Sequence, residues 1–285
     1  MLLNVAAYHF VAPPPDRDAP GADPDPTPAS PDRPEPAFGD PRHLEALRAH
    51  LRGRGRTLGL SGTVLLAPEG INLFACGEAP AVRALVDELR AMPALAALAT
   101  KESWSREHSF RRWLVKSKKE IITFGRPALR PAAARAPAVA PETLARWLDA
   151  GRDDDGREVV LVDTRNAFEV GVGTFEGALD PGIRSFTELP AALLARRDAL
   201  DGRKVVTFCT GGIRCEKAAL WLEEQGIGDV VQLDGGILGY FEAVGGRHWR
   251  GECFVFDRRV SLRPDLREGS WRQAYPSREI RPSPR

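Results

Sequence analysis

The chain has 285 residues, 40 Lys plus Arg against 39 Asp plus Glu, a formal charge of +1 and 43% apolar residues, a globular composition with room for about two domains. So small a net charge gives no global pull towards nucleic acid, and any such partner must be held by a local patch. Cys76, Cys209, Cys215 and Cys253 have no framework spacing, which excludes a disulfide-rich secreted scaffold and fits a reducing compartment.

The opening MLLNVAAYHFV lacks a basic leader and a cleavage site, and no later run reaches the roughly 18 apolar residues of a membrane span. A cytoplasmic protein without a membrane partner is expected. The predicted elements begin with a strand over Asn4 to Val11. Residues 13–41 are rich in Pro and Asp and nearly free of apolar side chains, so they cannot build a core and are expected as a disordered insertion. After it, Leu44, Leu47 and Leu51 recur at helical spacing. Gly62 to Ala67 and Ile71 to Ala75 read as strands joined by Pro68-Glu69-Gly70, and a helix covers 80–92. Arg112 to Thr123 alternates apolar and basic side chains as a half-exposed strand does. This βαββαβ order predicts a small α+β domain over residues 1–124.

Residues 125–140 are rich in Pro and Ala and read as a linker. A different pattern fills residues 141–250. A helix over Pro141 to Ala150 precedes the strand Val159 to Asp163, Val205 to Cys209 runs into a helix over Arg214 to Gln225, and Val230 to Leu233 is a further strand. Near-continuous apolar strands alternating with helices predict an α/β domain, a parallel sheet with helices on both faces. The tail of residues 251–285 opens with the apolar run Cys253-Phe254-Val255-Phe256, then turns polar and Arg-rich, and its end is expected to fray.

Cys209-Thr210-Gly211-Gly212-Ile213-Arg214 lies where a parallel strand hands over to a helix, the place at which open α/β sheets hold ligands. Two glycines let backbone N–H groups turn inwards, and the helix N-terminus adds partial positive charge; both favour a thiolate at Cys209 and an anion beside it. Arg214 and Lys217 would add fixed charge. Cys215, in the first helical turn, fits either an inert packing role or a redox role. Thiol phosphatases wrap a phosphate with a loop one residue longer than the four residues that separate Cys209 from Arg214.

The shorter loop resembles the rhodanese superfamily, whose loop cradles a persulfide. Upstream, Asp163-Thr164-Arg165, Phe168-Glu169 and Gly173-Thr174-Phe175-Glu176-Gly177-Ala178 are similar to the rhodanese signature, with Thr174 where many members have His. Asp163, Arg165 and Glu169 read as a structural ion-pair set that orders loops near the site. The run Cys209 to Ala218, with Leu66 to Asn72, Lys116 to Ile122 and Leu233 to Ile237, is more specific and resembles the rhodanese-like tRNA uridine(34) hydroxylases over about residues 4–12 and 42–260. That resemblance implies a rhodanese fold behind a ferredoxin-like or acylphosphatase-like domain. It further implies oxygen-dependent formation of 5-hydroxyuridine at the tRNA wobble position, with Cys209 as the catalytic cysteine and molecular oxygen as co-substrate. The Cys-rich C-terminal extension of some members is absent, so no metal site is expected, and no cofactor signature is present.

For a tRNA anticodon loop, the candidate contacts are Arg111, Arg112, Lys116, Lys118 and Lys119, interleaved with Trp104, Phe110 and Trp113, because basic groups hold phosphates while aromatics stack unpaired bases. The same aromatics fit a core equally well. Asn72 is added because Asn can hydrogen-bond a uracil edge, although a turn-bracing role also fits it. A persulfide-carrying sulfurtransferase shares every catalytic feature; the extra amino-terminal domain with its basic, aromatic strand argues for RNA. A regulatory rhodanese-like module would be marked by a lost Cys, and Cys209 is present.

Overall fold

The computed structural model describes residues 1–12 and 38–271; the expected insertion lies almost wholly outside the described residues, as does the tail beyond Trp271. The chain divides into two compact units, Met1–Glu102 with Arg106–Ile121, and Ser103–Ser105 with Ile122–Arg285.

The first unit is built on a five-stranded sheet. Its elements are β1 (Leu2–Phe10), α1 (Pro41–Thr57), β2 (Ser61–Ala67), β3 (Gly70–Gly77), α2 (Ala79–Arg90), β4 (Thr100–Ser105) and β5 (Trp113–Ser117), in spatial order β4-β1-β3-β2-β5. Asp40 caps α1 by accepting the Arg42 N–H at 2.8 Å, with Pro41 at the first helical position. Leu44, Leu47 and Leu51 face the core with Leu3, Leu66, Leu73, Leu85 and Leu89. β4 is absent from the sequence prediction because Thr100-Lys-Glu-Ser-Trp-Ser105 has too few apolar positions to read as a strand. The expected strand over 112–123 stops at Ser117, since the chain around Ile121 is held by a side-chain latch and not by ladder bonds. In that latch Glu69 accepts the Ile121 N–H at 2.7 Å and Asn72 donates to the Ile121 carbonyl at 3.2 Å.

The second unit carries β6 (Ala138–Val139), α3 (Pro141–Ala150), β7 (Val159–Asp163), α4 (Ala167–Val170), β8 (Gly173–Phe175), α5 (Leu189–Leu194), β9 (Lys204–Phe208), α6 (Ile213–Glu224), β10 (Val230–Leu233), α7 (Gly236–Ala243), β11 (Trp249–Gly251), β12 (Cys253–Phe254) and β13 (Ser261–Leu262). The sheet β6-β10-β9-β7 is parallel throughout, and separate apolar clusters cover its two faces, as the strand pattern predicts. Residues 125–140 are not a free linker. Leu129, Ala136 and Val139 are buried in this unit, and Phe124 stacks on Phe186 at 4.5 Å, because the alanines and prolines leave enough apolar side chains to pack. The apolar run that opens the tail is packed: Cys253, Phe254, Val255, Val260 and Leu262 are buried, and β12 pairs with β13, while the expected frayed end lies outside the described residues. Among the described residues no helix is long and apolar enough to cross a membrane.

Candidate active site

Cys209 comes directly after the last residue of β9 and Gly212 caps α6, so the residues between them form a short cradle at the C-terminal end of the sheet. Gly212 has φ +96°, a conformation that costs glycine little and other residues much. This turn brings the Gly212 N–H to 3.1 Å from Cys209 Sγ. A Cβ at Gly211 would stand in open space, whereas one at Gly236, φ +60°, would come within 2.5 Å of the Cys209 carbonyl and 2.7 Å of the Gly212 nitrogen. The first turn of α7 thus presses bare backbone against the cradle. It also holds it from behind, with Ile237 N–H on the Cys209 carbonyl at 2.9 Å and Leu238 N–H on the Thr210 carbonyl at 3.1 Å.

The Cys209 thiol is buried, and burial alone would push its pKa up. A hydrogen bond from the Cys215 thiol, the Arg214 charge and the backbone N–H groups of Arg214 and Gly212 outweigh that and bring it down to about 6. Cys215 moves the other way, raised by burial and by its hydrogen bond to Cys209, with Thr164 Oγ1 at 3.8 Å behind it. The surroundings therefore favour the thiolate at Cys209 and the protonated thiol at Cys215, which donates to it.

The charges expected around the loop sort into two buried pairs. Arg214 donates to Glu169 at 2.8 and 2.7 Å, and Arg165 donates to Asp163 at 2.8 and 2.5 Å and to the Gly173 carbonyl at 2.7 Å. Thr174, where a His is common, donates to Asp163 at 2.8 Å and so takes a structural place in the second pair. Lys217 corrects the sequence reading: it is fully buried and its ammonium donates to the Ile122 carbonyl at 3.1 Å, so its charge is committed to chain packing. Thr210 is half-buried, and its hydroxyl donates to the Phe254 carbonyl at 3.5 Å. Ile213 opens α6.

Residues 37–121 match the family described as UPF0176 acylphosphatase like domain, and residues 140–243 match the rhodanese-like domain. Over 265 residues, 93% of this chain and 90% of the other, the sequence is 54% identical to the tRNA uridine(34) hydroxylase of Variovorax paradoxus. The chain belongs to the tRNA uridine(34) hydroxylase family. Similar proteins of that name occur in Cupriavidus taiwanensis, 53% identical over 83% of this chain and 84% of that one, and in Bordetella petrii, 56% identical over 79% and 89%.

In this member of the tRNA uridine(34) hydroxylase family, Arg111, Arg112, Lys116, Lys118 and Lys119 are all exposed, on or beside the edge strand β5. Asn72 is not available to a base: it is buried, and its side-chain amide is spent on Ile121. Trp113 is a packing residue, its indole donating to the Leu51 carbonyl at 2.9 Å and filling the space a Cβ at Gly55 would need. Phe110 is half-buried against Phe74, and Trp104 is 41% exposed. Sequence reasoning missed the role of Gly236 in supporting the cradle, although a Gly-Gly pair between a buried strand and an apolar helix was its signal.

Proposed function

We propose that this chain hydroxylates C5 of the wobble uridine of tRNA, with Cys209 as the catalytic thiol. The observation that carries the reading is a cysteine sulfur that accepts the Gly212 N–H in a backbone cradle at the end of β9, where its neighbours lower its pKa, in a chain whose relatives bear the hydroxylase name. The Cys209 thiolate adds to C6 of the uracil, and the electron pair passes to C5. C5 attacks dioxygen, the co-substrate, giving a C5 hydroperoxide once protonated. A dithiol reductant cleaves the O–O bond, leaving C5–OH, one water and a disulfide. Loss of the C5 proton and of Sγ from C6 restores the double bond and the thiolate. The Gly212 N–H and the Cys215 thiol hold the sulfur as a good leaving group at the last step.

The exposed basic residues around β5 supply phosphate contacts for the anticodon arm, and four free cysteines fit the reducing cytoplasm as the place of action. A persulfide on Cys209 would need the same cradle, but the relatives' name favours hydroxylation. The test is turnover of unmodified tRNA by the purified chain under heavy-isotope dioxygen with a dithiol. Label in 5-hydroxyuridine, lost with Cys209→Ala, is the expected result; label entering from heavy water instead would overturn the role of dioxygen.

A further inference from the structure

Two large apolar side chains of the second unit, Phe256 at 50% and Phe168 at 36%, are exposed at one spot. They form a cluster with the buried Phe254. Ring centroids lie 5.2 Å apart for Phe168 and Phe254, 6.3 Å for Phe168 and Phe256 and 5.0 Å for Phe254 and Phe256, every pair within a few degrees of perpendicular. Edge-to-face packing of this kind fixes the Phe256 ring while leaving half of it to solvent.

The turn that carries Phe256 is also fixed. Val255 N–H meets the Val260 carbonyl at 2.8 Å, and Arg259 forks onto Asp257 at 3.0 and 3.1 Å with both side chains buried. Val260 sits at φ +67°, costly for a β-branched residue and kept only where the surroundings impose it. The turn adjoins the cradle: the Thr210 hydroxyl donates to the Phe254 carbonyl, and the Arg214 guanidinium carbon lies 5.9 Å from the Phe256 ring centroid. On the turn itself Arg258 is exposed.

We infer that Phe256, with Arg258 beside it, is a stacking platform for an unpaired base of the substrate RNA at the rim of the Cys209 cradle. The inference rests on the RNA reading above and adds the residue that positions the nucleotide. A fixed aromatic ring next to a guanidinium plane is how single-stranded bases are gripped, and a neighbouring cation answers the phosphate of the same nucleotide. An inorganic sulfur donor would draw nothing from an exposed ring. Phe256 is on this account a positioning residue, acting through the base and not on the sulfur.

The test uses the full chain, a synthetic anticodon stem-loop with uridine at the wobble position, and the variants Phe256→Leu and Phe256→Trp. Leucine keeps apolar bulk and removes the ring; tryptophan keeps a ring. Phe256→Leu should weaken binding about tenfold and raise KM more than it lowers kcat, while Phe256→Trp binds within about twofold of the unaltered chain. The alkylation rate of Cys209 by iodoacetamide should stay the same in both, since it reads the cradle alone. Binding by Phe256→Leu equal to that of the unaltered chain overturns the platform and leaves the RNA reading standing. A fall in both binding and alkylation assigns the ring to cradle packing and likewise overturns it. If the unaltered chain binds the stem-loop no better than an RNA duplex of equal length, the RNA reading fails and the platform with it.

Discussion

Arg214 donates both terminal nitrogens to Glu169, at 2.8 and 2.7 Å, and the same carboxylate takes the Asn166 N–H at 3.1 Å in the capping box of α4. The cation beside Cys209 is therefore paired and anchored before any substrate arrives. It tunes the thiol through its position, without being free to wrap an anion by itself. Removing one partner leaves a buried charge alone. Glu169→Ala and Arg214→Ala should each cost about 3 to 5 kcal/mol, with the double variant costing clearly less than their sum. Urea denaturation of the three variants checks this, and simple additivity would contradict it.

The Cys209 thiol should titrate far below the roughly 8.5 of an ordinary cysteine. Because only the thiolate is alkylated, the rate of iodoacetamide modification should be at its plateau at neutral pH and fall as pH drops through about 6. Cys215→Ala deletes the donated hydrogen bond and should move that midpoint up by about one to two pH units, as expected for a hydrogen bond to a charged group. A midpoint unmoved in Cys215→Ala would leave Cys215 without this role.

Gly236→Ala puts a methyl group within 2.5 Å of the Cys209 carbonyl and forces a left-handed φ on a residue with a Cβ. The cradle must then shift. Formation of 5-hydroxyuridine should fall by at least about a hundredfold, as expected for about 1 Å of misplacement at a reacting centre. Gly211→Ala, which meets open space, should be far milder. Turnover assays on the two variants side by side decide it, and equal losses would show that the support from α7 does not matter.

Much of this was legible in the sequence, and the limits have physical causes. The parallel sheet could be read because strands buried on both faces are continuously apolar, as in Val159 to Asp163 and Val205 to Phe208. The cradle could be read because adjacent glycines after such a strand have few other uses. Burial of polar side chains could not be read: Lys217 and Asn72 look like ligand-binding groups until their partners, the Ile122 and Ile121 carbonyls, are seen. Those partners are distant in sequence. The same distance hid the approach of Gly236 to the cradle and that of Phe254 to Thr210. β4 stayed hidden because an edge strand with polar side chains has no apolar alternation to show.

Lys116, Lys118 and Lys119 are exposed at one sheet edge, so their charge is available to phosphates. Reversing all three to Glu should weaken tRNA binding and reduce the slope of log affinity against log salt by about 0.7 to 0.9 for each phosphate no longer neutralised. A filter-binding salt series measures both, and an unchanged slope would move the RNA surface elsewhere.

We propose the Cys209 thiol as the group on which 5-hydroxyuridine formation turns. The most direct test is nucleoside mass spectrometry of tRNA from cells lacking the gene, complemented with either the unaltered chain or Cys209→Ala, with 2-thiouridine read in the same digests. The predicted result is that 5-hydroxyuridine and its derivatives return only with the unaltered chain while 2-thiouridine stays constant. Hydroxylated nucleosides that persist without Cys209 while a thiolated nucleoside falls would contradict it and assign the cradle to sulfur transfer.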